Sequence, residues 1–444
     1  MISAALDNVR HISFWQDQLG QDTFAPAPLP EKTDVLVVGS GYTGLSAAIQ
    51  TARGGRSTLV LDAEDLGFGC STRNGGQIST SVKPSLSKLT KMFGEKTARA
   101  VRAEGASALE WLADFMESEA LDCDFKRSGR YHAAHTPQHY EMLVRDAEKM
   151  RRGEGIDCFA VPREEQRSEL GSDIYFGGVV FPKHSAVDPA KMHREFLRKA
   201  HEAGAQAVGN CAVLNIEKRP DGFVVTTTQG KVLAKDVIMA TNGYSTNLVP
   251  WLRRRIIPIG SYIIATEELP RGTIDTLFPT DRIASDTCKV LYYYRATPDR
   301  KRVLFGGRVS AIETDTAASA PLLYEKMCTT FPELRGCKVS HSWSGTVAYS
   351  FDQLAHTGVH DGIHYAQCYC GSGVAMASYL GMRTGQKVLG LGEGMTAFDN
   401  LPYPSRLFYK GKPWFLPAAV AYYRWQDERQ SRKALKKAAE NVRA

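Results

Sequence analysis

The 444-residue sequence predicts an α/β protein with an α+β second domain: a Rossmann-type sheet joined to a domain built on an antiparallel sheet. Three observations predict it. Residues 34–62 read as strand, glycine turn, helix, strand and terminal acid. Residues 259–343 hold successive strand-like runs with few helices between them. A second glycine cluster, Tyr369-Cys-Gly-Ser-Gly-Val374, opens an apolar helix far downstream.

The first observation is the most informative. Asp34-Val-Leu-Val-Val38 is an unbroken apolar run, as a parallel strand buried on both faces requires. Gly39-Ser-Gly-Tyr-Thr-Gly44 is the turn after it, residues 45–53 the helix that turn opens, and Ser57-Thr-Leu-Val-Leu-Asp62 the next strand. This order, with Asp62 18 residues past Gly44, is the dinucleotide-binding fingerprint. Gly39 permits the tight turn, Gly41 lets backbone approach a pyrophosphate, and Gly44 lets helix and strand pack closely. The helix N-terminus offers unpaired N–H groups and the positive end of its dipole to the anion. Asp62 is placed for ribose hydroxyls, and an acid rather than Arg there argues against a 2'-phosphate. The ligand this predicts is an ADP-containing dinucleotide, NAD or FAD.

Composition narrows the class. A 43% hydrophobic and 23% charged content suits a globular chain of two or three domains. The net charge of +7 is spread along the chain, with local excess at Arg253-Arg-Arg255 and in the C-terminal tail, which argues against a nucleic-acid site. Nine cysteines, odd in number and without a CxxC pair, suit free thiols in a reducing compartment rather than disulfides or a metal site. The N-terminus lacks the build of a signal peptide, and no run of 18 apolar residues would span a membrane. A cytoplasmic protein is expected.

In chain order, residues 1–30 read as a packed arm anchored by Phe14 and Trp15, with Pro26, Pro28 and Pro30 leading into the first strand. The loop Gly67-Phe-Gly-Cys-Ser-Thr-Arg-Asn-Gly-Gly-Gln77 follows the second strand, on the ligand edge of such a sheet. Helical periodicity covers residues 85–116, 137–152 and 190–203, with a strand at 125–134. Short strands are predicted at 212–218, 222–228 and 232–239, the last running into Ala240-Thr-Asn-Gly-Tyr244. Strands at 259–266, 289–295, 302–310 and 338–343, with one helix at 322–330, build the antiparallel layer. Residues 375–389 form a late apolar helix, and no second GxGxxG occurs. The tail from Pro413 ends in a helix rich in Arg and Lys, expected to fold onto the body.

Taken together, Gly39-x-Gly41-x-x-Gly44, Asp62, Arg73-Asn-Gly-Gly-Gln77, Ala240-Thr-Asn242 and Gly371-Ser-Gly373 resemble the D-amino acid oxidase superfamily of FAD-dependent amine oxidoreductases. Phe14-Trp-Gln-Asp17, Gly260-Ser-Tyr-Ile-Ile-Ala-Thr266 and Phe305-Gly-Gly-Arg308 look most like the members that oxidise gamma-glutamylated putrescine. The resemblance covers about residues 13–395. It implies a Rossmann-type FAD-binding domain with an antiparallel-sheet substrate domain. FAD would be noncovalent, with Gly39, Gly41, Tyr42, Thr43 and Gly44 at the pyrophosphate and Asp62 and Ala63 at the ribose. Arg73, Asn74, Gly75, Gly76 and Gln77 would run along the isoalloxazine and Val213 would meet the adenine. Thr241 and Asn242 would lie on the nucleotide face, and Gly371, Gly373 and Val374 would point N–H groups at the flavin pyrimidine. The implied partition is an arm at 1–30, FAD-binding segments at 31–90, 150–248 and 345–395, substrate segments at 91–149 and 249–344, and an extension at 396–444.

The implied chemistry is amine oxidation. A neutral amine gives up hydride from its alpha carbon to flavin, the imine hydrolyses to an aldehyde, and dioxygen becomes hydrogen peroxide. Amino-acid-oxidising relatives carry an Arg after the aromatic residue of the late strand. Trp343-Ser-Gly-Thr-Val-Ala-Tyr349 has none, which points to an amine, polyamine or gamma-glutamylated diamine without an alpha carboxylate. Tyr262 and Trp343 are the candidate catalytic residues, with Tyr293 completing an aromatic cage, although aromatics on a buried sheet serve equally as core. Arg308 is a candidate for an acyl carboxylate or a roof ion pair. His184, His341 and His356 read as structural, Cys70 as an inert thiol, and no metal is expected. Two alternatives stay open: a dehydrogenase passing electrons to a quinone or carrier, and a nucleotide-binding protein without redox turnover. The sequence leaves the oligomeric state open.

Overall fold

The computed structural model describes residues 2–20, 28–80, 82–308 and 314–443. Pro26 of the leader and the end of the strand expected through Ser310 lie outside them.

Two eight-stranded sheets organise the chain. The first has the order His356–His360, Ile363–Gln367, Lys231–Met239, Lys32–Val38, Thr58–Leu61, Gln206–Val208. Its central pairings are parallel. The antiparallel ribbon Val213–Arg219 and Gly222–Thr227 joins Lys231–Met239 from the side. Along the central strand the side chains alternate between two cores. Val35 and Val37 pack with the helices Tyr42–Arg53, Pro189–Glu202 and Gly373–Val388. Leu36 and Val38 pack under the ribbon with Phe223, Val225 and Leu252. A strand covered on both faces needs apolar side chains at every position, which is why this run reads as continuous.

The helices Tyr42–Arg53 and Gly373–Val388 cross almost backbone to backbone. A Cβ on Gly381 would lie 2.3 Å from the Thr43 carbonyl oxygen, so only glycine admits this crossing. Through it residues 371–374 reach the fingerprint turn.

The second sheet has the order Val339–Tyr349, Ile257–Thr266, Val303–Gly307, Tyr292–Ala296, Ile283–Asp286, Arg130–Ala133, Gly178–Phe181, Phe159–Val161. It is antiparallel except where Ile283–Asp286 runs parallel to Arg130–Ala133. The helix Thr316–Thr330 covers its outer face, burying Tyr131, Tyr262, Tyr294 and Phe305.

Several expected boundaries move. Phe159–Val161 and Gly178–Phe181 belong to the second sheet, not to the nucleotide segment 150–248. Strands this short carry little periodicity to read. The strand Val339–Tyr349 runs straight through the expected division at 344 and 345. The helix expected over 85–116 is two, Leu86–Phe93 and Glu95–Ser118, broken at Gly94 with φ 82°. Leu89, Val101 and Leu112 of this pair bury in the core on the first sheet, so of the expected segment 91–149 the helix through Ser118 packs there, whereas Arg130–Ala133 lies in the second sheet.

Both chain ends fold onto the body. The arm helix Phe14–Leu19 buries Trp15 completely. The tail helix Leu416–Arg443 seats Leu416 and Val420 on Val290, and Asp427 accepts a hydrogen bond from the Val290 amide at 2.9 Å. Among the described residues no helix is long and apolar enough to cross a membrane.

Candidate functional site

Every residue expected at the cofactor except Gly44 and Gly76 borders one cavity of about 790 Å³ between the two sheets. Gly44 is set back by its packing role: a Cβ there would lie 1.9 Å from the Gly39 carbonyl oxygen. Gly76 is held behind the wall, where its carbonyl accepts from Arg295 at 2.9 Å.

The fingerprint turn is tied to the second strand through Ser40. Its amide and hydroxyl donate to Asp62 Oδ2 at 2.8 and 2.6 Å. Among the described residues Asp62 Oδ1 accepts only from the Glu64 amide, at 3.2 Å, which leaves acceptor capacity on an oxygen at the cavity wall. The helix from Tyr42 starts at that wall with Gly41 as N-cap and no side-chain cap. The Tyr42 side chain is buried, with its hydroxyl donating to the Pro189 carbonyl at 2.8 Å, and its amide donates to Ser71 Oγ at 3.0 Å.

The glycine-rich loop is braced from behind by two tryptophans. Trp15 Nε1 donates to the Asn74 carbonyl at 2.9 Å and Trp343 Nε1 to the Arg73 carbonyl at 2.8 Å. Asn74 closes the loop internally, donating to the carbonyls of Cys70 and Ser71 and accepting from the Gly76 amide. Gln77 donates to the carbonyls of Ala284 and Tyr294 and so ties the loop to the second sheet. Thr241 hydrogen-bonds Ser245, and Asn242 accepts from the Cys368 amide at 2.9 Å, joining the end of Lys231–Met239 to the approach to Gly371. Cys70 lies on the cavity, donates to the Thr346 carbonyl, and has its thiol pushed up to about 11 by burial.

The two candidate catalytic residues do not reach the cavity. Tyr262 points to the opposite face of its strand, into the core under the helix Thr316–Thr330. Trp343 is on the cavity face, in step with Gly345, Val347 and Tyr349, but lies beyond the cavity end where Phe14 and Trp15 cover it. Of the proposed cage only Tyr293 borders the cavity, its ring against Gly75 and its hydroxyl 3.0 Å from Ser261 Oγ. The histidines are structural: His356 pairs with Asp352, His341 with Asp17, and His184 with Thr80. Arg308 borders the cavity and donates to the Gly260 carbonyl at 3.0 Å.

Three contributions were not read from the sequence. Lys83, with Nζ 5.5 Å from the Tyr349 ring centre, lines the cavity near Gly371. Arg130 and Ser285 enter from the parallel strand pair. Leu416, Ala419, Val420 and Tyr423 of the tail helix close the wall over Val290 and Leu291. No local pattern marks such residues, since each is brought in by packing between distant segments.

The family profile for FAD dependent oxidoreductases (DAO) matches residues 34–386. The chain belongs to this family. It is 32% identical over 400 residues to the gamma-glutamylputrescine oxidoreductase of Escherichia coli K12, covering 89% of this chain and 92% of that protein. Among solved structures, glycine oxidase from Geobacillus kaustophilus superposes with a TM-score of 0.71 at 18% identity, over 85% of this chain and 99% of the other. L-proline dehydrogenase from P. horikoshii superposes with a TM-score of 0.68 at 19% identity, over 84% and 96%. This DAO-family chain is therefore an FAD-dependent oxidoreductase of a family acting on amines or amino acids.

The residues present fit the family's cofactor. A helix N-terminus, an acid with acceptor capacity left over and a buried Arg73 Nε that has no partner among the described residues all stand along the cavity. When bound, FAD supplies the two-electron acceptor.

Proposed function

We propose that this chain is an amine oxidase that holds FAD noncovalently and oxidises a primary amine, polyamine or gamma-glutamylated diamine to an imine and then an aldehyde, with dioxygen reduced to hydrogen peroxide. The observation that carries this reading is the continuity of the cavity. It runs from Gly39 and Asp62, past residues 73–77 and 371–374, to Ser261 and Tyr293 on the second sheet. The nucleotide sheet then holds the cofactor and the second sheet roofs the substrate. All nine cysteines are free thiols, in keeping with a cytoplasmic setting.

The protein's own contribution is orientation, exclusion of water and electrostatics. An amine must be uncharged to release hydride from its alpha carbon. Around the roof, Lys83, Arg130, Lys289 and Arg308 border the cavity, whereas the carboxylates bordering it, Asp62 and Glu64, belong to the nucleotide end. Fixed positive charge disfavours the ammonium form and lowers the substrate's pKa toward the neutral amine. Leu416, Val420 and Val290 cover the roof with apolar surface and keep solvent from the reacting carbon.

A visible spectrum followed by anaerobic titration with an amine panel tests the proposal. Flavin bands should bleach with acylated or free diamines, and re-aeration should give one hydrogen peroxide per amine. Glycine, sarcosine and D-amino acids should turn over negligibly; equal rates across both classes would overturn the substrate assignment. Bleaching without peroxide would instead indicate a dehydrogenase. Absence of flavin bands would leave a nucleotide-binding protein without redox turnover.

A further inference from the structure

Two arginines lie out of bulk solvent between the sheets, and they are treated differently. Arg295 is 6% exposed and donates to three backbone carbonyls, those of Ala296, Gly76 and Val187. Asp281, Asp188 and Asp124 act on it electrostatically. It is satisfied within the fold.

Arg130 is not. Its Nε donates to Ser285 Oγ at 3.0 Å, and one Nη2 hydrogen faces His132 Nδ1 at 3.2 Å. His132 is itself kept neutral by burial and by Arg130. No carboxylate pairs with Arg130 among the described residues, and desolvation alone pulls its guanidinium down to about 10. Of the five N–H donors of a guanidinium, the two on Nη1 and one on Nη2 have no partner in the described structure. Arg130 borders the cavity, and the surface it keeps is exposed there. Lys83, which also acts on His132, borders the same part of the cavity.

A cation held from water without a counter-charge is costly, and a fork of free N–H groups matches a carboxylate bidentately. From this geometry we infer that Arg130, supported by Ser285 and Lys83, is an anion-binding corner that receives a carboxylate carried by the amine substrate. The inference rests on the amine-oxidase reading for the rest of the substrate. Because the late strand 339–349 has no arginine, this carboxylate belongs on the part of the molecule away from the oxidised carbon. The preferred substrates are thus amines whose chain ends in an acid, rather than free diamines or alpha-amino acids.

The test compares holoenzyme with the variants Arg130→Gln and Arg130→Lys. Values of kcat/KM are measured for gamma-glutamylputrescine, which bears a carboxylate, and for N-acetylputrescine, which does not. Binding of glutarate, an acid with no amine to oxidise, is followed separately by its effect on thermal unfolding. The wild type should prefer the acid-bearing amine at least tenfold, and Arg130→Gln should lose that preference and the glutarate-induced rise in Tm. Arg130→Lys keeps the charge without the fork and should fall between them; it also decides the matter if Arg130→Gln does not fold. Equal loss on both amines, or a glutarate response unchanged in either variant, would overturn the inference and leave Arg130 structural. If no amine is oxidised but glutarate binds in an Arg130-dependent way, the amine-oxidase reading fails and the anion corner stands.

Discussion

Trp343 donates its indole N–H to the backbone carbonyl of Arg73 at 2.8 Å, joining the edge strand of the second sheet to the glycine-rich loop that borders the cavity. Trp343→Phe keeps most of the apolar packing with Phe14 and Trp15 but removes this bond. A single hydrogen bond contributes about 1 kcal/mol, so FAD retention should weaken about fivefold. Fluorescence titration of the apoprotein with FAD measures this. Loss of turnover with unchanged FAD affinity would return Trp343 to a direct catalytic role.

Cys70 borders the cavity, but burial pushes its thiol up to about 11, which removes the thiolate that covalent attachment to a flavin requires. Acid precipitation should therefore release all yellow colour into the supernatant, for the wild type and for Cys70→Ser alike. Colour that stays with the pellet, and leaves it in Cys70→Ser, would show a covalent link.

Asp286 is 1% exposed, accepts from the amides of Cys288 and Tyr292, and is pushed up to about 6 by burial. The folded state then keeps a proton that the unfolded chain has released, so stability falls as pH rises from about 4 to 6 and is level above. Asp286→Asn keeps the acceptor without the charge. It should be more stable than wild type near pH 7.5 by on the order of 3 kcal/mol, with the advantage vanishing toward pH 4. Urea unfolding at several pH values checks this. An advantage independent of pH would show that the carboxylate is not the cause.

Val420 and Leu416 seat the tail helix on Val290 beside the cavity. Val420→Asp would place a charge in that apolar contact at a cost of several kcal/mol, and should detach the helix. Substrate KM should rise about tenfold while FAD affinity changes little, since the nucleotide end is built from other segments. Proteolysis at the tail, quickened in the variant, gives an independent reading. An unchanged KM would mean that the helix does not confine the substrate.

The difference between the two aromatic candidates shows where sequence reading stops. Tyr292, Tyr293 and Tyr294 alternate across a strand, so the sequence places the middle tyrosine opposite its neighbours. It does not say which face meets the cavity. Only the packing of the helix Thr316–Thr330 over Tyr262 and Tyr294 assigns that face to the core and leaves Tyr293 to the cavity. Trp343 has the correct parity, yet the N-terminal arm covers it.

The sequence by itself determined the fingerprint end of the cavity. Strand, Gly39 turn, helix and Asp62 follow one another in the chain, and each demand there is local: a tight turn, a helix start, an acid at a strand terminus. The end of the cavity under the second sheet was decided by tertiary structure alone. Arg130, Ser285, Lys83 and the tail residues Leu416 and Val420 come from segments far apart in the chain. What makes Arg130 notable is that no carboxylate among the described residues pairs with it, and such an absence is a property of packing in space that no order of residues along the chain displays.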